Sequence, residues 1–385
     1  MEKSLSPGAP SSAPMSRSEL TQALREIART PALQKLLECA SDETQLYLVG
    51  GSVRDIALGA QQIDFDLASN LAPNQISQYL GAAGHRVIET GLQHGTITAL
   101  IDSTPIEITT FRQPLPSHPV SYSDNIEIDL SARDFTINAI AFDLKQHRLI
   151  DPFDGLSDLA NQTLRAVGSP QDRFKEDPLR ILRMIRFGPA ANRTVEDLTW
   201  TAASRQAKTI STVSIERIKE ELDKILLGIN APEGFRALAK LNLLELTVPE
   251  LIPCIGFEQN DFHLHDVFDH TLAVLERCPK DNLALRLTAL YHDLGKPSTL
   301  SVDPAGNRHF YKHEIISEEI CSNRMQALKY SKRLTKQVTR LVRYHMRPIE
   351  CGPAGVRRLM RDLEEDFDLW QEFKFADKPP VMSDQ

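Results

Sequence analysis

The chain has 385 residues, 25% of them charged and 41% hydrophobic, which is ordinary for a globular protein of two to four domains. No apolar run could cross a bilayer, no signal-peptide pattern is present, and the five cysteines lack C-x-x-C spacing, so we expect a cytoplasmic protein without a membrane partner, a zinc knuckle or a disulfide framework. A net charge of −8 argues against a generally basic nucleic-acid binder, but it allows a nucleic-acid enzyme with a local basic track.

The first part of the chain predicts an α/β head. Residues 1–16 are rich in Ser, Pro, Ala and Gly and predict a disordered leader. Helical spacing follows over residues 20–40, with a break near Pro31. Strand-like segments then predict a small mixed sheet with helices on one side, and we place the head at residues 17–155. These segments are Leu46–Val49, Ile63–Leu67, Arg86–Glu89, Gly95–Asp102, Ile106–Thr110 and Ile137–Asp143.

Two short motifs at the start of the head indicate a phosphate and metal site. A strand runs into Gly50 and Gly51 and then into a helix start, where backbone N–H groups can bind phosphate. Asp64 and Asp66 are separated by one residue of a strand-like segment, so both carboxylates face one side. Such a pair favours a divalent cation, as in two-metal nucleotidyl transfer. The alternative is a tight turn followed by an exposed acidic strand.

Further charged residues of the head have two interpretations each. Glu107 lies between two isoleucines and could be a third catalytic carboxylate or a surface acid of an edge strand. Arg133 and Asp134 precede a buried apolar segment, where they could hold a sugar or phosphate or form an ion pair at a helix start.

Helical periodicity replaces the strand pattern after the turn-rich Asp151–Gly155. We expect a helical neck and body over 156–250 and a separate C-terminal domain over 251–385. Arg173–Phe187 and Ser214–Leu227 are predicted amphipathic helices.

Charged residues near the start of the first of these helices could read a base. Asp177 and Arg180 are three residues apart, so they lie on one helix face and could offer hydrogen-bond acceptors and a planar donor fork to the edge of a base. The alternative is a helix-capping acid that forms a salt bridge with the arginine. Arg183 continues the same side and could bind phosphate or belong to a solvated basic face.

The last third concentrates histidines and basic residues. His292 and Asp293 end an apolar helix and supply metal ligands of two kinds. A basic track suits an RNA backbone, with a solvated helix face as the alternative. It comprises Arg324, Lys329, Lys332, Arg333, Lys336, Arg340, Arg343 and Arg347.

Five motifs, in this order, resemble the class II tRNA nucleotidyltransferases. This family includes CCA-, CC- and A-adding enzymes and bacterial poly(A) polymerases. The resemblance covers about two thirds of the chain and implies an α+β multidomain protein: a polymerase-β-like head, then an all-α neck and body. The motifs are Gly50–Asp55, Asp64–Asp66, Arg133–Ala139, Asp151–Gly155 and Glu176–Arg180.

The resemblance also implies the reaction and its residues. Two Mg²⁺ ions on Asp64 and Asp66 would serve the addition of CMP from CTP, and of AMP if ATP is used, to the 3′ end of tRNA with release of pyrophosphate. The glycines would shape the triphosphate site, Arg133 and Asp134 would contact the sugar, and Asp177 and Arg180 would pair with the base. The implied nucleotide-binding residues are Gly50, Gly51, Arg54, Asp55, Arg133, Asp134, Asn138, Asp177, Arg180 and Arg183. Arg217 and Glu221 would belong to the supporting neck.

One departure from the family pattern bears on specificity. CCA-adding members usually carry a longer loop with a tyrosine and paired basic residues between the positions of Arg112 and Arg133. Residues 113–125 are shorter, rich in proline and without a basic residue except His118. Loss of the loop is associated with CC addition, which we therefore expect, with a separate A-adding enzyme as partner. CCA addition and poly(A) synthesis are alternatives.

The C-terminal part resembles the HD phosphohydrolase superfamily. The resemblance implies a divalent metal of unknown identity on His270, His292, Asp293 and Asp377, while His313 and His345 would complete a second site. Asp362, Asp366 and Asp368 compete with Asp377 for its role. One alternative function follows, a metal-dependent phosphohydrolase of cyclic or terminal phosphates whose head only binds RNA. A non-catalytic RNA-binding module is another.

Overall fold

A computed structural model describes residues 14–60, 64–89, 92, 95–113, 122–259, 266–349 and 352–377. They form two compact units. The first comprises the described residues up to Glu176 together with Glu196–Thr199, and the second comprises Asp177–Val195 and the described residues from Trp200 onward. Among the described residues, no helix combines the length and the apolar character needed to cross a membrane.

A seven-stranded mixed sheet forms the first unit, as predicted. The strands of the chain are β1 (Leu46–Val49), β2 (Phe65–Ser69), β3 (Arg86–Ile88), β4 (Thr96–Ile101), β5 (Thr104–Thr110), β6 (Ala141–Asp143), β7 (Leu149–Ile150), β8 (Thr163–Leu164), β9 (Thr194–Val195), β10 (Ser301–Val302) and β11 (Arg308–His309). The sheet has the order β3-β4-β5-β2-β1-β6-β7. Strands β2 and β5 are parallel, and the other neighbours are antiparallel.

Helices dominate the second unit, which confirms the predicted change of fold along the chain. The helices of both units, within the described residues, are α1 (Arg17–Ala28), α2 (Pro31–Cys39), α3 (Gly51–Ala57), α4 (Pro73–Ala82), α5 (Ile126–Ser131), α6 (Gly155–Ala160), α7 (Pro170–Glu176), α8 (Arg180–Phe187), α9 (Asp197–Gln206), α10 (Ile215–Leu226), α11 (Ala231–Lys240), α12 (Leu244–Thr247), α13 (Val267–Arg277), α14 (Leu283–Tyr291), α15 (Lys296–Thr299), α16 (His313–Ala327), α17 (Lys332–Tyr344), α18 (Pro353–Leu363) and α19 (Phe367–Asp377). Helices α1 to α7 belong to the first unit.

The central position of β1 explains its sequence and places the first motif. All four residues of β1 are buried between β2 and β6, so its sequence is continuously apolar. Because β1 and β2 are antiparallel, the end of β1 lies beside the beginning of β2. The turn at Gly50 therefore meets the aspartates that open β2.

Two predicted elements differ in the structure. The single helix predicted over Arg173–Phe187 is two helices, since α7 ends at Glu176 and α8 begins at Arg180. Pro178 lies between them, where its missing N–H and its restriction of the preceding residue interrupt a helix. The strand predicted over Ile137–Asp143 begins only at Ala141, after a 3-10 turn.

Candidate functional sites

Three acidic residues of the first unit lie at the beginning of β2 and on the neighbouring strand β5. Asp64 precedes β2, and Asp66 lies opposite Glu107 in the parallel register of β2 and β5. Burial raises the pKa of Asp66 to about 6, and the charges of Glu107 and Asp64 add to the rise. Arg133 and Arg54 lower it without cancelling the rise. Carboxylates that repel each other in this way fit a divalent cation, which would relieve the repulsion.

Ser52 joins the backbone of the two aspartates, and the sequence analysis missed it. Its side chain is buried, and its hydroxyl donates to the carbonyl of Asp64 at 2.6 Å and accepts from the N–H of Asp66 at 2.7 Å. One hydroxyl therefore fixes the chain on both sides of Phe65. The available signal was a hydroxyl residue directly after the glycine pair.

The glycine pair lets the backbone approach charged side chains. Gly50 has a φ of +60°, and a Cβ there would lie 2.6 Å from Nη1 of Arg133. A Cβ on Gly51 would lie 3.1 Å from a carboxylate oxygen of Asp66. Gly50 is required both by its backbone conformation and by this contact. Phosphate binding at the turn stays a prediction.

Four predicted nucleotide-binding residues form one hydrogen-bonded chain. Arg54 donates to Asp55 through Nε at 2.8 Å and through Nη1 to the side-chain oxygen of Asn138 at 2.6 Å. The amide nitrogen of Asn138 donates to Asp134 at 3.0 Å. The structure therefore brings these residues together and holds each of them in place.

The internal partner of Arg133 is Asp129, which the sequence analysis did not consider. Asp129 is buried and accepts from Nε and Nη2 of Arg133 at 3.1 and 3.0 Å, and from the N–H of Arg112 at 3.0 Å. Burial alone would raise the pKa of Asp129, but the two arginines lower it below its ordinary value. Asp134 instead accepts from the N–H of Phe135. The four-residue spacing of Asp129 and Arg133 on either side of a helix end was the missed signal.

In the second unit, Asp177 lies in the break between α7 and α8. One oxygen accepts from the N–H of Leu179 at 3.1 Å, and the other accepts from Nη2 of Arg217 at 2.7 Å. Arg180 is the first residue of α8. A role of Asp177 and Arg180 in reading a base stays a prediction.

Glu221 of α10 holds the basic side of α8. It is buried, and both of its oxygens accept from Nη1 of Arg186 at 3.0 Å. Nη1 of Arg183 lies 3.7 Å from the same carboxylate. Helix α10 therefore supports α8, as the family resemblance implied.

A second cluster contains the six predicted ligands of the C-terminal part. Their potential ligand atoms form two groups, each lying within 4.8 Å of one another: His270, His292 and Asp377 in one group, and Asp293, His313 and His345 in the other. The two carboxylate oxygens of Asp293 face different groups. Oδ2 lies 3.2 Å from Nε2 of His292, and Oδ1 lies 3.2 Å from Nε2 of His313.

Three of the imidazoles have a defined orientation. Nδ1 of His292, His313 and His345 lies 2.8, 2.8 and 2.7 Å from a backbone carbonyl oxygen. A carbonyl only accepts, so each Nδ1 carries a proton, and each ring in its neutral form would present its Nε2 lone pair to the cluster. Nε2 of His313 lies 3.2 Å from Nε2 of His345, and Nε2 of His292 lies 3.2 Å from Nε2 of His270. Lone pairs that face each other at this distance fit a bound cation.

Asp293 carries negative charge at the centre of the cluster. Burial would raise its pKa, but His292 and Lys296 hold it well below the ordinary value. Nζ of Lys296 is 2.7 Å from Asp293 and donates to Gln259 at 2.6 Å. Lys296 and Gln259 were missed by the sequence analysis, although Lys296 follows the adjacent His and Asp by three residues. For the His345 imidazole, in contrast, burial lowers the pKa below its ordinary value.

Of the four aspartates considered for the last ligand position, the structure brings Asp377 to the histidines. Its Oδ1 lies 3.3 Å from Nε2 of His270. Asp366 accepts from Gln337 and Arg340, Asp362 accepts from Arg361, and Asp368 is exposed.

Much of the predicted basic track is neutralised. Acidic side chains lie within 4.0 Å of five of its members: Arg324, Lys329, Lys336, Arg340 and Arg343. An ion pair reduces the charge available to phosphates, so the track attracts RNA less than its sequence indicates. The shortened loop at residues 114–121, with His118, and two further histidines, His263 and His265, lie outside the described residues.

Comparison with known families matches three successive parts of the chain. The matches are to the poly A polymerase head domain over residues 46–165, to the probable RNA and SrmB-binding site of polymerase A over 194–255, and to the HD domain over 263–372.

Curated relatives extend these matches. An A-adding tRNA nucleotidyltransferase of Deinococcus radiodurans is 34% identical over 334 residues, which cover 83% of this chain and 72% of the relative. A CCA-adding enzyme of Ligilactobacillus salivarius is 41% identical over 212 residues, which cover 54% of this chain and 50% of the relative. The match thus spans about half the length of that CCA-adding relative.

A solved structure shares the fold. The CCA-adding enzyme of Bacillus stearothermophilus in complex with CTP superposes with a TM-score of 0.68 at 23% identity, covering 95% of this chain and 80% of that one.

Proposed function

The chain belongs to the tRNA nucleotidyltransferase family, and we propose on this premise that it adds nucleotides from CTP to the 3′ end of tRNA and releases pyrophosphate. The observation that carries the proposal is the carboxylate cluster of Asp64, Asp66 and Glu107 beside the Gly50 turn. Two Mg²⁺ ions held by Asp64 and Asp66 would supply charge neutralisation of the triphosphate and activation of the RNA 3′-hydroxyl.

The residues around the carboxylates orient the nucleotide. Arg133, braced by Asp129, presents Nη1 towards Gly50, next to the helix start whose N–H groups can bind phosphate. Arg54 and Asp134, joined through Asn138, form a fixed polar wall for the sugar and phosphates. Such preorganised groups need no rearrangement when charge develops in the transition state.

Base selection would fall to Asp177 and Arg180. An aspartate acceptor and a guanidinium fork match the polar edge of cytosine, and a hydrogen bond from Arg217 orients the Asp177 carboxylate. The short proline-rich segment after Arg112 favours CC addition over CCA addition. A-only addition is the alternative, since the relative aligned over most of the chain is an A-adding enzyme.

Incubation with tRNAs of defined 3′ ends tests this. A tRNA without its CCA end is supplied with CTP alone and then with CTP and ATP, and a tRNA ending in CC is supplied with ATP, with product length read at nucleotide resolution. Two added residues even with ATP present support CC addition. A final A supports CCA addition, and extension of only the CC-ending tRNA supports A addition.

The Asp64→Ala variant tests the catalytic centre. Loss of the carboxylate should abolish incorporation, whereas Asp102→Ala, which removes an exposed carboxylate paired with Lys35, should leave incorporation unchanged. Incorporation by Asp64→Ala at the wild-type rate would refute the proposal.

A second activity is favoured by the facing Nε2 atoms of the histidine cluster: metal-dependent hydrolysis of phosphate esters. Asp293 is placed to contact a cation in either group, and Lys296 keeps its carboxylate charged. Purified protein is stripped of metal, reloaded with single divalent cations and assayed on nucleoside 3′-phosphates and 2′,3′-cyclic phosphates. Asp377→Asn should lose this hydrolysis, and Asp64→Ala should retain it. Absence of hydrolysis with each cation would refute the second activity.

A further inference from the structure

A small basic cavity is lined in part by the residues that follow His345. It has a volume of about 100 Å³ and is lined by Arg347, Pro348, Gly355, Arg358, Leu359 and Asp362. This volume is large enough for a tetrahedral anion such as phosphate.

The charges of the cavity also favour an anion. Within the part of the chain that the structure describes, neither Arg347 nor Arg358 has an acidic partner within 4.0 Å. The carboxylate in the wall, Asp362, accepts from Arg361 at 2.8 Å, so its charge is already compensated. Two guanidiniums that line one cavity offer the planar donor forks that bind phosphate.

The walls of the cavity are anchored. Leu359 packs in a core cluster with Leu341, Leu363 and Trp370, which anchors α18, the helix that carries Arg358. The guanidinium of Arg347 lies 6.0 Å from the ring centroid of Tyr344, the last residue of α17. Arg358 therefore projects from α18, and Arg347 lies in the turn that follows α17.

The chain connects this cavity directly to the candidate metal centre. His345 directs Nε2 into the cluster, and Arg347 follows it by two residues, so their Cα atoms are at most about 7 Å apart. The segment that directly follows a candidate metal ligand therefore also lines the cavity.

We infer that Arg347 and Arg358 bind a second phosphate group of the substrate on which the histidine cluster acts. The substrate class is then an RNA 3′ end or a nucleoside bisphosphate, and not a nucleoside with a single phosphate. The inference rests on the proposed phosphohydrolase activity for its substrate, but binding at the cavity can be measured without that activity.

The test compares uridine 3′,5′-bisphosphate with uridine 3′-monophosphate. Uridine nucleotides are chosen because the head is not proposed to add uridine. Dissociation constants are measured by calorimetry on the full chain, with and without added divalent metal. Two charge-assisted hydrogen bonds should favour the bisphosphate by about tenfold or more, and Arg358→Ala or Arg347→Ala should remove the preference. Arg357→Ala, an exposed neighbour on α18 outside the cavity, is the matched control and should retain it.

The outcomes separate the two proposals. A bisphosphate preference that depends on both arginines supports the inference even if no hydrolysis is observed, in which case the phosphohydrolase activity alone fails. Equal affinity for both nucleotides overturns the inference. Inorganic phosphate is titrated as a further probe, and competition by phosphate without a bisphosphate preference would identify a site for free anions and overturn the assignment to substrate.

Discussion

Replacement of Ser52 by alanine should weaken the carboxylate site from outside it. Among the described residues, the Ser52 hydroxyl forms its hydrogen bonds with the backbone of the two aspartates, through the carbonyl of Asp64 and the N–H of Asp66. Its removal leaves every carboxylate in the chain but releases the segment that carries two of them. Ser52 is therefore a positioning residue in the proposed reaction.

The magnitude follows from these two bonds. A buried backbone group that loses its partner costs about 1–3 kcal/mol of unfolding free energy. For a unit of about 150–250 residues, the size class of the first unit, each kcal/mol lowers Tm by about 2–4 °C. Ser77→Ala is the matched control, because within the described residues the buried Ser77 hydroxyl has no hydrogen-bond partner and its loss should cost nothing.

Two measurements examine the variant. Thermal unfolding should show the lower Tm for Ser52→Ala and no change for Ser77→Ala. CTP affinity is measured without tRNA, so that no transfer occurs, and in the presence and absence of Mg²⁺. We expect Ser52→Ala to lose at least tenfold of the Mg²⁺-dependent affinity while the metal-free affinity is retained. Wild-type Tm together with wild-type Mg²⁺-dependent affinity would refute the positioning role.

Three further substitutions or treatments have defined outcomes. Gly50→Ala should cost about 1–3 kcal/mol of unfolding free energy through its positive φ, and it should reduce CMP addition more than tenfold because the new Cβ displaces Arg133. Gly81→Ala on α4, where the new Cβ meets open space, should keep or slightly raise the stability and leave CMP addition unchanged. Asp377→Asn should lower the number of divalent ions retained by the chain, measured by elemental analysis after dialysis, without changing CMP addition; unchanged metal content would contradict its place among the ligands. Burial raises the pKa of the Cys254 thiol to about 12, so the reactive thiolate forms only as the pH approaches 12. Alkylation of Cys254 at pH 8, measured by peptide mass spectrometry, should therefore be at least a hundredfold slower in the folded than in the unfolded chain.

Local patterns predicted the elements that carry most of the site. The glycine pair after an apolar strand, the alternating aspartates and the adjacent His and Asp are short-range patterns whose geometry is set within a few residues. The break at Pro178 shows the limit of this reasoning, because helical spacing on both sides concealed two separate helices. The basic track shows another limit, since its acidic partners are distant in sequence and only folding brings them near.

The amino-acid sequence by itself determined the α/β head, the helical remainder, the family resemblance and the residues that carry carboxylates, guanidiniums and imidazoles. Only the tertiary structure decided which of these groups meet: that Glu107 lies beside Asp66, that Arg133 pairs with Asp129 and not with Asp134, and that Asp377 is the aspartate that reaches the histidines. The physical reason is that residue type and periodicity are local properties, whereas register between strands and packing between helices join residues far apart in the chain.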